Sequence, residues 1–180
     1  MKESDLEFDV RWQPFELNED TPEEGLPLSE YYDVPQERVL TMQAGLEARA
    51  AEFGLPFRAP RMLSSTRKAH ILAEYARAQG RLDPLRRALF RAHFAEGLNL
   101  ADDDVLHRLA QRAGLDPEEA LAALGDPRYA AALEAALERS RDIGITGVPT
   151  FVVEGGHRIV GAHPFEAMRD QLRRIAAQGR

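Results

Sequence analysis

The residues with the most chemical content lie in one stretch, Ile143-Gly-Ile-Thr-Gly-Val-Pro-Thr-Phe-Val-Val153. A helix ends there, two glycines bracket a turn, and Val148-Pro149 leads into a β-branched, aromatic run. Proline cannot donate at the start of a strand, and an X-Pro bond in such a turn tolerates either isomer. The residues alone leave cis and trans open. A second group is Ser64, Ser65, Thr66 and His70. The three hydroxyls read first as helix caps, and His70, one turn beyond Thr66, reads as a satisfied structural histidine rather than a base. The histidines at 70, 93, 107, 157 and 163 show no H-x-x-x-H or H-x-x-E-H spacing, so no metal is expected. Asp102 to Asp104 read as a capped, solvated helix start rather than a cation site, and Glu96-Gly97 as a helix end. No G-x-x-x-x-G-K or G-x-G-x-x-G stretch occurs, and no cofactor is expected. The chain has no cysteine. Structural disulfides, zinc–thiolate sites and cysteine nucleophiles are therefore excluded on these 180 residues.

The elements that must position these groups follow from periodicity. Phe8, Val10 and Trp12 alternate with polar residues, which predicts a strand over Glu7 to Phe15 closed by Pro14. Trp12 and Phe151 are expected in the core. Leu17 to Tyr32 has no period and reads as loop. From Pro35 to Ile143 the pattern is helical, beginning with a stripe of Val39, Met42, Leu46, Ala50 and Phe53. A second helix is expected from about Thr66 to Gln79. Three helices open on Asp-Pro, at Asp83, Asp116 and Asp126, where Asp caps free N–H groups and Pro suits the first helical position. Glu119 completes the spacing of a capping box. Thr150 to Val153 and His157 to Val160 then form a hairpin, with Gly155-Gly156 as a two-residue turn. Pro164 opens a last helix with Phe165, Met168, Leu172 and Ile175 on one stripe. The domains are expected as 1–34 with 144–180, and 35–143.

Charge narrows the partners. Thirty acidic residues against 23 basic give a net charge of -7, which argues against nucleic acid as the main partner. Mean hydropathy is -0.41 and no apolar run approaches a membrane span, so no membrane partner is expected. Met1 to Asp9 is charged and lacks an apolar core; it does not read as a signal peptide, and a cytoplasmic location is expected. Arginine greatly outnumbers lysine, which appears only at Lys2 and Lys68; this is read as codon bias.

Thr146-Gly-Val-Pro-Thr-Phe151, a glycine hairpin and a final helix together resemble the cis-proline loop of thioredoxin-fold proteins. Val10-Arg-Trp-Gln-Pro-Phe-Glu-Leu-Asn18 is similar to the second strand and following turn of the FrnE-type branch of the DsbA family. Gly54-Leu-Pro-Phe57, Thr66-Arg-Lys-Ala-His70, Phe94-Ala-Glu-Gly97 and Gly161-Ala-His-Pro164 match the same branch in order, from about Asp9 to Arg174. Its relatives include 2-hydroxychromene-2-carboxylate isomerases and kappa-class glutathione transferases. The resemblance implies an α/β thioredoxin-like fold with a large all-helical insertion. It also implies a cis Val148–Pro149 bond and a substrate-binding loop of Thr146, Gly147, Val148 and Pro149, where the backbone of Val148 pairs with a peptide or protein disulfide substrate. Ser65 and His70 become groove contacts, although relatives carry Asn at the Ser65 position. The implied reaction is thiol–disulfide exchange. In the family its thiolate sits in a C-x-x-C motif on a first strand and helix, and this chain starts after that unit. No catalytic residue is therefore assigned. A cysteine-free binding protein and a truncated isomerase or transferase remain alternatives. Loss of the central strand is expected to leave Glu7–Phe15 and Thr150–Val153 either pairing directly or flanking an open edge prone to self-association.

Overall fold

A computed structural model describes residues 7–58, 60 and 62–178. The reading of Met1 to Leu6 lies outside the described residues. The chain divides into two compact units, residues 18–135 and residues 1–17 with 136–180.

The 18–135 unit is mostly helical. It begins with strand β1 (Leu26–Pro27) and a short helix α1 (Leu28–Tyr31), where a loop was expected. β1 pairs antiparallel with β2 (Met62–Leu63), Leu26 opposite Leu63. That ladder and the packing of α1 on α2 (Gln36–Glu52) tie residues 18–34 to the helices, whereas they were expected to group with residues 144–180. The core is built by α3 (Arg67–Ala78), α4 (Leu82–Phe94), α5 (Asp103–Arg112) and α6 (Pro117–Ala122), around Leu72, Leu85, Leu106 and Leu109. Each of these leucines lies on the inward stripe of its helix and is essentially removed from water. The α2 stripe behaves differently: Val39 is buried, but Met42, Leu46 and Phe53 are exposed.

Capping chemistry accounts for several helix starts. The Asp102 carboxylate accepts from the N–H groups of Asp104 at 2.8 Å and Val105 at 3.2 Å. Asp116 does the same for Glu118 and Glu119, both at 3.0 Å. Asp126 accepts from the Arg128 N–H at 2.9 Å at the start of α7 (Pro127–Asp142). The capping box is half made, because the Glu119 carboxylate turns to accept from the Tyr75 hydroxyl at 3.2 Å. Asp83 departs from expectation. Helix α4 starts one residue before it, so Asp83 sits inside the first turn and its carboxylate meets Arg86 and Arg87 instead. Thr66 occupies the N-cap of α3 without a side-chain cap bond. Its backbone (φ -108°, ψ 4°) is outside the extended region that aims a capping hydroxyl at the next turn.

The other unit carries the hairpin of β3 (Thr150–Val153) and β4 (His157–Val160), followed by α8 (Phe165–Gln178). Phe151 pairs with Ile159 and Val153 with His157, which makes the turn three residues long, Glu154 to Gly156. Both glycines there have positive φ. Residues 7–15 form no strand; the expected ladder is absent because no described strand lies beside the segment to supply bonds. No ladder joins it to β3 either. Trp12 and Phe151, expected in the core, are each 44% exposed. An apolar side chain is buried only where a further layer covers it.

Candidate functional site

The loop from Gly144 to Pro149 is fixed at both ends. Helix α7 stops in a Schellman arrangement: the Ile145 N–H donates to the Ser140 carbonyl at 2.9 Å and the Gly144 N–H to the Arg141 carbonyl at 2.8 Å. Gly144 has φ +68°, and a Cβ there would stand 3.3 Å from Arg158 Nη1. A larger residue at 144 would therefore be strained and crowded at once. The Arg158 guanidinium so lies against the negative end of α7, a favourable place for a cation. At the far end the Thr150 hydroxyl donates to the Gly147 carbonyl at 2.7 Å. The Gly161 N–H donates to the Pro149 carbonyl at 2.8 Å. The Val148–Pro149 peptide bond is cis.

Between these anchors, Thr146, Val148 and Pro149 face solvent and Gly147 is half-buried. Among the described residues, the N–H and C=O of Val148 have no hydrogen-bond partner. Val148 thus presents one free donor and one free acceptor directly before β3, and its side chain is 50% exposed. This is what an added extended peptide needs at a strand edge.

The two other residues singled out in the sequence belong to the helical unit. Ser65 lies between β2 and α3, half-buried, with no side-chain hydrogen bond among the described residues. His70 is on the first turn of α3. Burial, aided by the neighbouring Arg67, holds its imidazole below the ordinary range against the pull of Glu74. At neutral pH His70 is uncharged. Glu74 is itself buried and takes Arg77 at 3.1 Å, one turn along α3. The Gln43 amide is buried too and donates to the Pro60 carbonyl, tying α2 to the segment before β2. Neither Glu74 nor Gln43 was separable in the sequence from a solvated helix face. Among the described residues no three histidines or carboxylates gather as metal ligands. Among the described residues, no helix is long and apolar enough to cross a membrane.

Comparison with known proteins gives the setting of this loop. The family model of the DSBA-like thioredoxin domain matches residues 1–173. The crystal structure of a probable DsbA oxidoreductase from Streptomyces coelicolor superposes with a TM-score of 0.81 at 34% identity, over 89% of this chain and 72% of that one. A 2-hydroxychromene-2-carboxylate isomerase gives a TM-score of 0.72 at 16% identity, over 94% of this chain and 82% of that one; this shows the fold alone. The ClpXP adapter protein SpxH of Shouchella clausii is 34% identical over 85 residues, 44% of this chain, and the match spans 28% of the adapter's length.

Proposed function

The chain belongs to the DSBA-like thioredoxin domain family, and we propose that it is the substrate-binding part of a DsbA-type thiol–disulfide oxidoreductase. The observation that carries this reading is the unpaired backbone donor and acceptor of Val148 beside the open edge of β3. A cysteine-containing peptide docks there as an added strand, with Thr146, Gly147 and Pro149 shaping the bend. The attacking thiolate comes from a strand–helix segment outside these 180 residues, which hold no cysteine. Attack on one substrate sulfur breaks the S–S bond and releases the other as a thiolate. Resolution of the mixed disulfide then leaves the substrate reduced and the enzyme's dithiol oxidised; the reverse direction oxidises a dithiol substrate. A cytoplasmic location, and self-association through the β3 edge when that segment is absent, belong to the same reading.

The test has two arms. The mass-verified 180-residue protein should show no insulin reduction, yet bind a labelled cysteine-containing peptide, and Val148→Pro should abolish that binding by removing the N–H. A strand–helix segment carrying C-x-x-C, joined upstream, should confer turnover. Turnover by the cysteine-free chain, or peptide binding indifferent to Val148→Pro, would sink the reading.

A second reading has its own support in the missing cysteine and the partial likeness to an adapter protein. On it the chain holds a protein partner without redox chemistry. The fused C-x-x-C segment decides between the two, because an adapter gains no turnover from it.

A further inference from the structure

Two motifs that the peptide loop leaves unused, Gly54-Leu-Pro-Phe57 and Phe94-Ala-Glu-Gly97, meet on the helical unit. The Phe57 and Phe94 rings stack with centroids 6.1 Å apart and planes at 21°. The Arg58 N–H donates to the Phe94 carbonyl at 2.7 Å, locking the two segments together. Phe94 also lies 5.8 Å from Phe90 and 4.6 Å from the His93 ring. Phe57 and His93 are half-buried, while Phe90 and Phe94 stay open to water, 54% and 40% exposed. A contiguous aromatic patch on a surface marks an interaction site more often than a scattered apolar residue does.

The patch is set among cations. The Arg58 stem crosses Gly97, where φ is +66° and a Cβ would come within 3.2 Å of Arg58 Cδ. Glycine at 97 therefore lets Arg58 lie down beside the rings. Arg58 has no carboxylate partner among the described residues. On α4, Arg87, Phe90, Arg91 and Phe94 fall three and four residues apart, on one face. Arg91 and Arg112 share the single carboxylate of Glu96, each at 3.2 Å, and Arg87 only grazes Asp83 at 3.4 Å. A chain of net charge -7 thus gathers a basic, aromatic face at one place.

We propose that this face of α4 and the 55–58 loop docks an acidic, aromatic-bearing segment of a partner protein. An uncharged apolar partner would strip water from Arg58, which has no carboxylate beside it, without pairing it, which is costly. Carboxylates repay that cost through charge-assisted bonds, while the partner's ring stacks on Phe90 and Phe94 and faces arginine. Nucleic acid would meet the same cations, but the acidic remainder of the chain repels a long polyanion. The inference does not depend on the peptide loop or on any thiol.

The test is fluorescence anisotropy on the full chain with short labelled peptides: one alternating Glu or Asp with Leu and Phe, one with Lys in place of the acids. A single-stranded oligonucleotide of equal charge is the third probe. The acidic peptide should bind saturably and lose affinity with added salt. Phe90→Ser, an exposed position checked by circular dichroism, should weaken it about ten-fold or more, as for a ring central to a small interface. Arg58→Glu with Arg91→Glu should transfer the preference to the basic peptide. Absent binding, equal binding of both peptides, a preference for the oligonucleotide, or affinity unmoved by either variant would overturn the proposal. So would concentration-dependent mass in light scattering that Phe90→Ser abolishes, since the face would then be taken by a second copy.

Discussion

Trp12 is the one tryptophan of the sequence, and at 44% exposure its emission reports whether the 7–16 segment is covered. Phe151 is equally exposed. An aromatic side chain can bury about 200 Å², so roughly 90 Å² of each ring is still wet. At about 25 cal/mol per Å², covering one ring is worth about 2 kcal/mol, and the pair about 4 kcal/mol. Val10 and Val152, 61% and 51% exposed, add to that, while ordering the covering segment subtracts from it. A DsbA-type strand–helix segment joined upstream should therefore raise the unfolding free energy by a few kcal/mol. It should also move Trp12 emission to shorter wavelength and reduce its quenching by acrylamide. Urea unfolding followed at two wavelengths reads both quantities in one experiment. An unchanged emission maximum and midpoint, with the added segment folded by circular dichroism, would refute the argument that these faces are built to receive it.

The cap assignments predict that Asp102→Ala and Asp116→Ala each cost about 1 kcal/mol in urea unfolding. Asp83→Ala, which loses only exposed ion pairs, should cost under about 0.5 kcal/mol. Leu106→Ala, at the fully buried centre of the helical unit, should cost about 2–5 kcal/mol. Burial holds both His70 and His93 below the ordinary imidazole range. As pH falls through about 6.5 the unfolded chain takes up protons first, so the folded state loses stability. The decline should continue until the folded form protonates too. His70→Gln with His93→Gln should flatten that profile above pH 5; an unchanged slope would mean the rings are not desolvated.

The hairpin and its preceding loop were legible because glycines, proline and β-branched residues act locally, within a few positions of one another. Asp116 and Asp102 were legible for the same reason, since a cap needs only its own next turn. Asp83 was not: α4 begins at Leu82, before the position that the Asp-Pro pair signals. Trp12 is more instructive, and the α2 stripe, helical as its spacing predicts, shows the same limit. Alternation and three-four spacing say that a face is apolar, and burial then depends on a neighbour that lies elsewhere in the fold. Phe57 against Phe94 was invisible for want of any local signal: the two rings are far apart in sequence, and each alone looks like a helix-end residue.

The absence of cysteine bears on mechanism differently from a missing base or metal ligand. In thiol–disulfide exchange the nucleophile is also the atom that carries the covalent intermediate, so no neighbouring group can substitute in part. On the proposed function, what the described loop contributes is registration of an extended peptide. Val148 offers one donor and one acceptor, and the Thr150–Gly147 and Gly161–Pro149 bonds hold them in place without any thiol. On that reading its work would show itself in peptide affinity, whereas the chemical step would belong to the residue bearing sulfur. A loop stiffened by its own hydrogen bonds keeps its shape whether or not that residue is attached. Binding and chemistry are then separable on this scaffold. On the proposed function, the loop would serve an oxidoreductase by holding an extended chain while a thiolate supplied beside it does the chemistry.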